Sequence, residues 1–201
     1  MKLLRGGHLT MKLVFATNNQ NKLKEIQNLL GEDFELLSLK DIQCNEEIPE
    51  DHDTLEDNAS QKAYYVHDKY GVNCFADDTG LEIEALNMEP GVYSARYAGE
   101  QKNSEDNMAK VLRNMEDVTN RKARFRTVIS LVIDGKEMQF EGIVDGHMLE
   151  NKQGTDGFGY DPIFQPEGYD VSFAQMSMED KNAISHRGRA VEKLVKYLLQ
   201  L

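Results

Sequence analysis

Leu13-Val14-Phe15-Ala16-Thr17-Asn18-Asn19-Gln20-Asn21-Lys22 is the stretch that decides the fold class. Its first four residues read as a short, fully apolar strand, and residues 17–21 as a polar turn. A helix follows, with Leu23, Ile26 and Leu30 on one face and Gly31 as its stop. Residues 34–39 suggest a second strand, and residues 41–53 an acidic loop without apolar periodicity. Thr54 caps the next helix, with Asp57 three residues on as an imperfect capping box. Leu55, Ala59, Ala63, Val66 and Tyr70 keep helical spacing until Gly71 ends the run.

Beyond that helix, residues 72–76 form a strand that Asp77-Asp78-Thr79-Gly80 interrupts. Leu81, Ile83 and Ala85 then alternate with Glu82 and Glu84, and Glu89-Pro90-Gly91 turns the chain. Ser104 can cap a helix carrying Met108, Val111, Leu112 and Met115. Residues 125–133 and 138–144 read as a hairpin around Asp134-Gly135. A last helix begins at about Ser185, with Val191, Leu194, Val195 and Leu198 inward. Alternating strands and helices followed by a hairpin give an α/β class with a mixed sheet. Upstream of Met11, residues 1–10 hold too short an apolar core for a secretory signal. They read as an N-terminal extension, from an alternative start codon or added residues, ahead of a single domain over 11–201.

Composition narrows the function. The 201 residues carry 35 Asp+Glu against 23 Lys+Arg, a net charge of −12. That argues against a nucleic-acid binder, whose affinity comes from basic patches, and against docking on an anionic membrane. The longest apolar stretch, 128–133, falls far short of the ~18 residues of a membrane span. Two cysteines, Cys44 and Cys74, make no disulfide framework and fit reduced thiols in a cytoplasmic protein.

Five segments could carry chemistry. The loop 17–21 enters a helix N-terminus, where backbone N–H groups can receive an anion and Lys22 adds a charge. The same loop also reads as an ordinary polar connection. Asp77 and Asp78 are adjacent carboxylates after an apolar strand, costly unless something cationic meets them. Mg²⁺ suits such a site, and the acidic loop Glu46-Glu47-Ile48-Pro49-Glu50-Asp51 could supply another ligand; a solvated acidic turn is the alternative. Asn58 and Lys62 lie one helical turn apart, on the same strip of their helix. Gly157-Phe158-Gly159-Tyr160-Asp161-Pro162 combines close backbone approach, stacking rings and an acceptor for base N–H groups. Lys181 with Ser185-His186-Arg187 gathers three donors near a helix N-terminus. The 157–162 segment reads equally as a loop packing its own aromatics; a capped helix with exposed charges is the alternative for 181–187, though His186-Arg187 beside a capping Ser185 is more pointed than that.

In order, these segments resemble the Ham1 family of inosine triphosphatase-like enzymes. The resemblance rests on Thr17-Asn18-Asn19 with Lys22 and Glu25, and on Thr54-Leu55 with Asn58-Ala59 and Lys62-Ala63. It continues through Phe75-Ala76-Asp77-Asp78-Thr79-Gly80-Leu81, Pro90-Gly91-Val92-Tyr93-Ser94-Ala95-Arg96-Tyr97, residues 157–164, and Lys181 with Ser185-His186-Arg187. Two departures stand out: Asn18 replaces a common Gly, and Asp51-His52-Asp53-Thr54-Leu55 replaces the usual Thr-Gly-x-Thr-Phe. The resemblance implies an ITPase-like (Ham1/Maf-like) fold, with an elongated central mixed sheet flanked by helices and two lobes around a nucleotide cleft. It implies a Mg²⁺-dependent homodimer that hydrolyses ITP, dITP and XTP to the monophosphate and pyrophosphate. Carried over residue by residue, Asp78 is general base or metal ligand, Asp77 and Glu50 support the metal, and Lys62 acts beside Asp78. Thr17, Asn18, Asn19, Gln20, Asn21, Lys22, Lys62 and Thr79 would hold the triphosphate. Phe158, Gly159, Tyr160, Asp161, Lys181, His186 and Arg187 would surround the purine. A Maf-type enzyme with another base choice and a non-catalytic nucleotide sensor are the competing readings.

Overall fold

The structure is a computed structural model in which residues 2–5, 8–30, 32 and 34–201 are described, residues 2–5 and 8–10 by backbone alone. The elements in chain order are β1 (Lys2–Arg5), β2 (His8–Phe15), α1 (Gln20–Leu30), β3 (Phe34–Leu37), α2 (Leu55–Tyr70) and β4 (Cys74–Ile83). They continue with β5 (Pro90–Gly91), α3 (Ser104–Asn114), β6 (Lys122–Ile133), β7 (Lys136–Met148), β8 (Phe164–Pro166), α4 (Met178–Ile184) and α5 (His186–Leu198). The main sheet runs β1-β2-β4-β6-β7-β8, with β3 on β2 and β5 on β4. It is mixed: β2 pairs parallel with β3 and β4, while β1–β2, β4–β5 and β7–β8 are antiparallel.

The chain divides into two compact units. The first comprises Met1–Asp78, Val128–Glu141 and Ala190–Leu201. Leu13, Phe15, Phe75, Ile129 and Leu131 face Ile26 and Leu30 of α1 and Ala190, Val191, Leu194 and Leu198 of α5. Val14, Ala16, Cys74, Ala76 and Val132 pack on Ala63 and Val66 of α2 and on Leu39 and Cys44. Because side chains alternate along a strand, a strand buried on both faces must be apolar throughout. That is why residues 13–16 carry no alternation. Phe15 and Phe75 are register partners, and their rings stack at 4.6 Å and 7°. The helix α2 is capped as expected: Thr54 Oγ1 accepts from Asp57 N, and Gly71 ends it with φ 63°. The β6–β7 turn places Asp134 and Gly135 at φ 51° and 75°, the left-handed pair that a two-residue hairpin requires.

The second unit comprises Thr79–Thr127 and Gly142–Arg189. Its core gathers Leu81, Ile83, Met108, Val111, Met115, Phe125, Val144, Ile163, Phe164 and Phe173.

Four local expectations change. Asp77-Asp78-Thr79-Gly80 does not interrupt a strand; β4 runs through it from Cys74 to Ile83. The carboxylates are tolerated there because lysines meet them, and Gly80 is required because a Cβ there would lie 2.8 Å from the carbonyl oxygen of Gly91 on β5. Asn103, not Ser104, caps α3, its Oδ1 accepting from Asp106 N at 3.0 Å. A further helix, α4, precedes the last one, with Ser185 between them. The strand β2 begins at His8 rather than Met11, because Arg5↔His8 and Leu3↔Thr10 pair it with β1. Gly31, the expected stop of α1, lies outside the described residues, as do Met1, Gly6 and Gly7 of the N-terminal extension.

Both cysteines are buried and reduced. Cys74 Sγ donates to Ala63 O at 3.2 Å, and burial pushes its thiol from 9.0 up to about 12. The fold therefore favours the neutral thiol. The contribution is complete below pH 9.0 and is lost as pH rises toward about 12. Folded protein at pH 9.0 should leave Cys74 unalkylated by iodoacetamide, whereas denatured protein is labelled. Peptide mass spectrometry reads the difference, and rapid native labelling of Cys74 would contradict it.

Candidate active site

In the first unit, β4 sends its two carboxylates to opposite faces of the sheet, as neighbouring strand residues must. Asp77 follows Phe75 onto the α1 side, and Lys22 Nζ of α1 donates to its Oδ1 at 2.9 Å. Asp78 follows Ala76 onto the α2 side, where Lys62 Nζ stands 3.5 Å from its Oδ1. Lys62 also donates to Asp77 O at 2.7 Å and to Glu50 Oε1 at 2.5 Å. Lys62 and Asp78 are 5% and 7% exposed, so these charges interact through little water.

Three carboxylates share two ammonium groups here, and their titration follows from that. Burial raises Asp78 above the ordinary carboxylate range, and Lys62 and Lys22 only partly oppose it. Burial also disfavours the charge on Glu50, but Lys62 and Lys22 outweigh it and hold Glu50 low. For Lys62, burial works against the ammonium, and Asp78, Glu50 and Asp77 overcome it and raise the group. Among the described residues Asp78 Oδ2 is buried without a hydrogen-bond partner. A buried oxygen of that kind is costly unless something else binds it.

The acidic loop is fixed from α2. Asn58, 1% exposed, grips His52 both ways: its Oδ1 accepts from His52 N at 2.9 Å and its Nδ2 donates to His52 O at 3.2 Å. Gln61 does the same at Asp51, accepting from its N at 3.2 Å and donating to its Oδ1 at 2.6 Å. These four bonds hold the loop so that Glu50 reaches Lys62. At the start of α1, Asn19 Oδ1 accepts from Asn21 N at 3.0 Å and from Lys22 N at 3.2 Å, and Thr17 Oγ1 accepts from Asn19 N at 3.1 Å. Asn18, Asn19, Gln20 and Asn21 are exposed.

In the second unit a different group forms. Lys181, 4% exposed, donates from Nζ to Asp161 Oδ2 at 2.7 Å, and Phe158 N donates to the same oxygen at 2.8 Å. Gly157 sits beside that oxygen at φ 75°, and a Cβ there would come within 2.1 Å of it. Lys181 Nζ lies 4.9 Å and Arg187 Cζ 5.6 Å from the Phe158 ring centroid, so two cations flank one aromatic side chain. Arg187, 2% exposed, donates from Nη2 to Thr79 Oγ1 at 3.2 Å. His186 is buried and stacks on Phe125 at 4.7 Å and 16°. The group is a buried set of cationic donors beside an aromatic ring. An open groove of about 520 Å³ elsewhere in this unit, lined by Glu82, Glu84, Lys122, Arg124, Asp145 and His147, shares none of these residues.

Comparison with known proteins places the chain. The Ham1 family model matches residues 13–197. This chain belongs to the Ham1 family. It is 59% identical over 188 residues to the dITP/XTP pyrophosphatase of Flavobacterium johnsoniae, covering 94% of this chain and 98% of that protein. The Ham1 protein of Staphylococcus aureus superposes with a TM-score of 0.86 at 38% identity, over 94% of this chain and 98% of that one. A HAM1 protein from Coxiella burnetii gives 0.87 at 35% identity, over 96% and 100%. The α/β fold with a mixed, helix-flanked sheet is thus the Ham1 fold.

Set beside the Ham1-derived expectations, the structure sorts the site residues into two groups. Lys22, Glu50, Lys62, Asp77 and Asp78 meet in the first unit. Thr79, Phe158, Asp161, Lys181 and Arg187 are joined in the second. Tyr160 is spoken for by its own packing: 6% exposed, it donates from its hydroxyl to Ser94 O at 2.6 Å. Gly159 stands at φ 63°. Asp161 acts on Lys181 and the Phe158 backbone rather than as an isolated acceptor. The first-turn N–H groups of Asn21 and Lys22 are already taken by Asn19, so the loop's polarity builds the cap of α1 first. Asn18 is not among the residues with positive φ, so the missing Gly needs no left-handed backbone there.

Two contributions escape a reading of the sequence. The Asn58 and Gln61 clamps depend on where the loop returns to α2, which spacing alone does not reveal. Thr127 is the other: fully buried on β6, its Oγ1 lies 2.8 Å from Thr79 Oγ1. A signal for it exists, since Phe125, Thr127 and Ile129 alternate on one face and only Thr127 is polar.

Proposed function

We propose that this protein hydrolyses non-canonical purine nucleoside triphosphates, dITP, ITP and XTP, to the monophosphate and pyrophosphate, and so cleanses the nucleotide pool. The observation that carries the reading is the buried donor set of Lys181 and Arg187 around Phe158, in a chain 59% identical to a dITP/XTP pyrophosphatase. Hypoxanthine and xanthine present an oxygen at C6 to such donors, where adenine presents an amino donor. Phe158 supplies a face for stacking, and His186 on Phe125 packs the surrounding wall.

The residues present also fit a divalent cation. Asp78 Oδ2 is buried without a partner among the described residues, and carboxylates outnumber lysines around it. Among the described residues no three acidic or imidazole groups close on one point, so Asp78 with Glu50 would hold Mg²⁺ and leave other positions to water and substrate. Mg²⁺ supplies charge neutralisation on the leaving pyrophosphate and acidifies bound water. Asp78 accepts a proton from the attacking water, a task suited to a carboxylate whose burial has raised its affinity for protons. Lys62 orients Asp78 and Glu50 and, with Lys22, the 17–21 loop and Thr79, binds the triphosphate. Asp77 holds Lys22 in place.

The protein functions in this reading as a cytoplasmic homodimer whose residues 11–201 form one catalytic domain. Family membership supports the dimer, and two reduced, buried thiols support the compartment. The test is a screen of the common and deaminated NTPs with purified protein and Mg²⁺, scored for pyrophosphate. ITP and XTP should turn over far faster than ATP and GTP. Equal turnover of pyrimidine NTPs would favour a Maf-type choice, and binding without pyrophosphate release would favour a sensor.

A further inference from the structure

Asn58 lies one turn from Lys62 on α2, yet it meets backbone and not a charge. It is 1% exposed, its Oδ1 accepts from His52 N at 2.9 Å, and its Nδ2 donates to His52 O at 3.2 Å. A side-chain amide that bonds both the N–H and the C=O of one residue fixes its position and orientation together, as a strand partner would. Residues 47–52 belong to no helix or strand, so side-chain contacts of this kind place them. Gln61 makes a second pair one residue earlier, accepting from Asp51 N at 3.2 Å and donating to Asp51 Oδ1 at 2.6 Å. The next residue back is Glu50, whose Oε1 receives Lys62 Nζ at 2.5 Å; the same ammonium stands 3.5 Å from Asp78 Oδ1. Consecutive loop residues are thus held from positions 62, 61 and 58 of one helix. Both Asn58 bonds go to backbone, so the clamp is indifferent to the side chain at 52, and His52 is not among the residues with positive φ. That accounts for His52 where the usual pattern has Gly: the clamp needs a peptide there and no special backbone.

We infer that Asn58 is a positioning residue for the cation site: through the backbone of His52, with Gln61 bracing Asp51, it holds Glu50 beside Asp78 in the geometry a divalent cation requires. The inference rests on the proposed reading that Glu50 and Asp78 together hold Mg²⁺. Mg²⁺ demands near-ideal octahedral geometry and tolerates a displaced ligand poorly. Lys62 alone does not supply that precision, because an ammonium on a flexible stem binds a carboxylate as a point charge and follows it when it moves. The clamp supplies it through the chain. Asn58 in this arrangement touches neither cation nor nucleotide, so its loss acts on the affinity for metal and not on the chemistry of the loaded complex.

The test measures Mn²⁺ affinity by electron paramagnetic resonance, for the protein alone and with an ITP analogue whose α–β phosphate bridge cannot be hydrolysed. Asn58→Ala should weaken Mn²⁺ binding by about 10-fold, the low end of what losing an outer partner of a metal ligand costs. The His52 amide should exchange with solvent faster, which reports the lost clamp directly. In ITP turnover the Mg²⁺ concentration giving half the maximal rate should rise by the same factor, and excess Mg²⁺ should restore most of kcat. A merely structural defect would lower kcat at every Mg²⁺ concentration. In a Glu50→Ala background, Asn58→Ala should cost no further Mn²⁺ affinity, because its effect passes through Glu50. The inference is overturned by wild-type Mn²⁺ affinity in Asn58→Ala, by an additive loss in the double variant, or by a kcat that excess Mg²⁺ does not restore. Should Asn58→Ala fail to fold, Gln61→Leu, at a half-buried position, should also weaken Mn²⁺ binding, and an unchanged affinity there overturns the inference. Mn²⁺ binding that Asp78→Asn abolishes and Asn58→Ala leaves intact sinks this inference alone. Full activity of the wild-type protein in excess EDTA sinks the underlying reading instead.

Discussion

Asp78→Asn should reduce ITP turnover by at least ~10²-fold, in the range of a lost acid–base group, without lowering stability at neutral pH. The two halves of this expectation come from one fact. Asp78 is 7% exposed, and burial raises its pKa above 3.8 despite Lys62 and Lys22. A raised folded pKa means the fold prefers the protonated form. The associated stability is complete below 3.8 and is lost as pH climbs through the folded value, so ionising Asp78 costs the native fold stability. Asparagine removes the charge and keeps the shape. Lys62 keeps Glu50 at 2.5 Å and the Asp77 carbonyl at 2.7 Å, so it is not stranded. The substitution therefore lowers activity while sparing stability, as changes to strained active-site groups commonly do. Pyrophosphate release and thermal melts measured side by side decide the matter. Turnover near the wild-type level, or a clear drop in melting temperature at neutral pH, would refute the assignment, as would full activity in excess EDTA.

How far the sequence alone reaches can be judged at particular residues. The first unit was legible because its strands are buried on both faces. Such strands have to be apolar, and 13–16 shows it directly. The cap at Thr54, the stop at Gly71 and the turn at Asp134-Gly135 were legible because each needs its own residue chemistry at its own φ. The Asp77–Gly80 segment misled because local polarity signals a break. Its cure is tertiary: Lys22 and Lys62 arrive from two helices that the strand's own sequence does not mention. For the same reason, sequence adjacency groups Asp77 with Asp78, while the pleat sends them to different helices. The residue types of the proposed base site, an aromatic ring with cationic donors, were legible, and the structure brings Phe158, Lys181 and Arg187 together. Its wiring was not legible, because Asp161 is 20 residues from Lys181 and Thr79 is 108 from Arg187.

Arg187→Ala should narrow the preference for ITP over ATP, and that change is the sharpest probe of base choice. Arg187 is 2% exposed, with its guanidinium 5.6 Å from the Phe158 ring centroid and its Nη2 on Thr79. Guanidinium nitrogens only donate. A purine with an oxygen at C6 gives such a donor a partner, whereas adenine's amino group sets donor against donor. A buried mismatch of that kind can reject a substrate by about 10⁴–10⁵-fold, far beyond what a missing methylene achieves. Lys181 remains in the variant, held by Asp161 at 2.7 Å, so discrimination should shrink rather than vanish. A loss of about 10–10²-fold in the ITP:ATP ratio of kcat/KM matches one charge-assisted hydrogen bond. Guanine also carries the C6 oxygen, so the ITP:GTP ratio should move much less; that contrast ties the effect to C6 and not to general damage. Removing Arg187 also withdraws a donor from Thr79, and any cost of that loss shared by all nucleotides cancels in the ratio. ITP and ATP falling in equal proportion would show that Arg187 serves Thr79 alone and that another group reads the base.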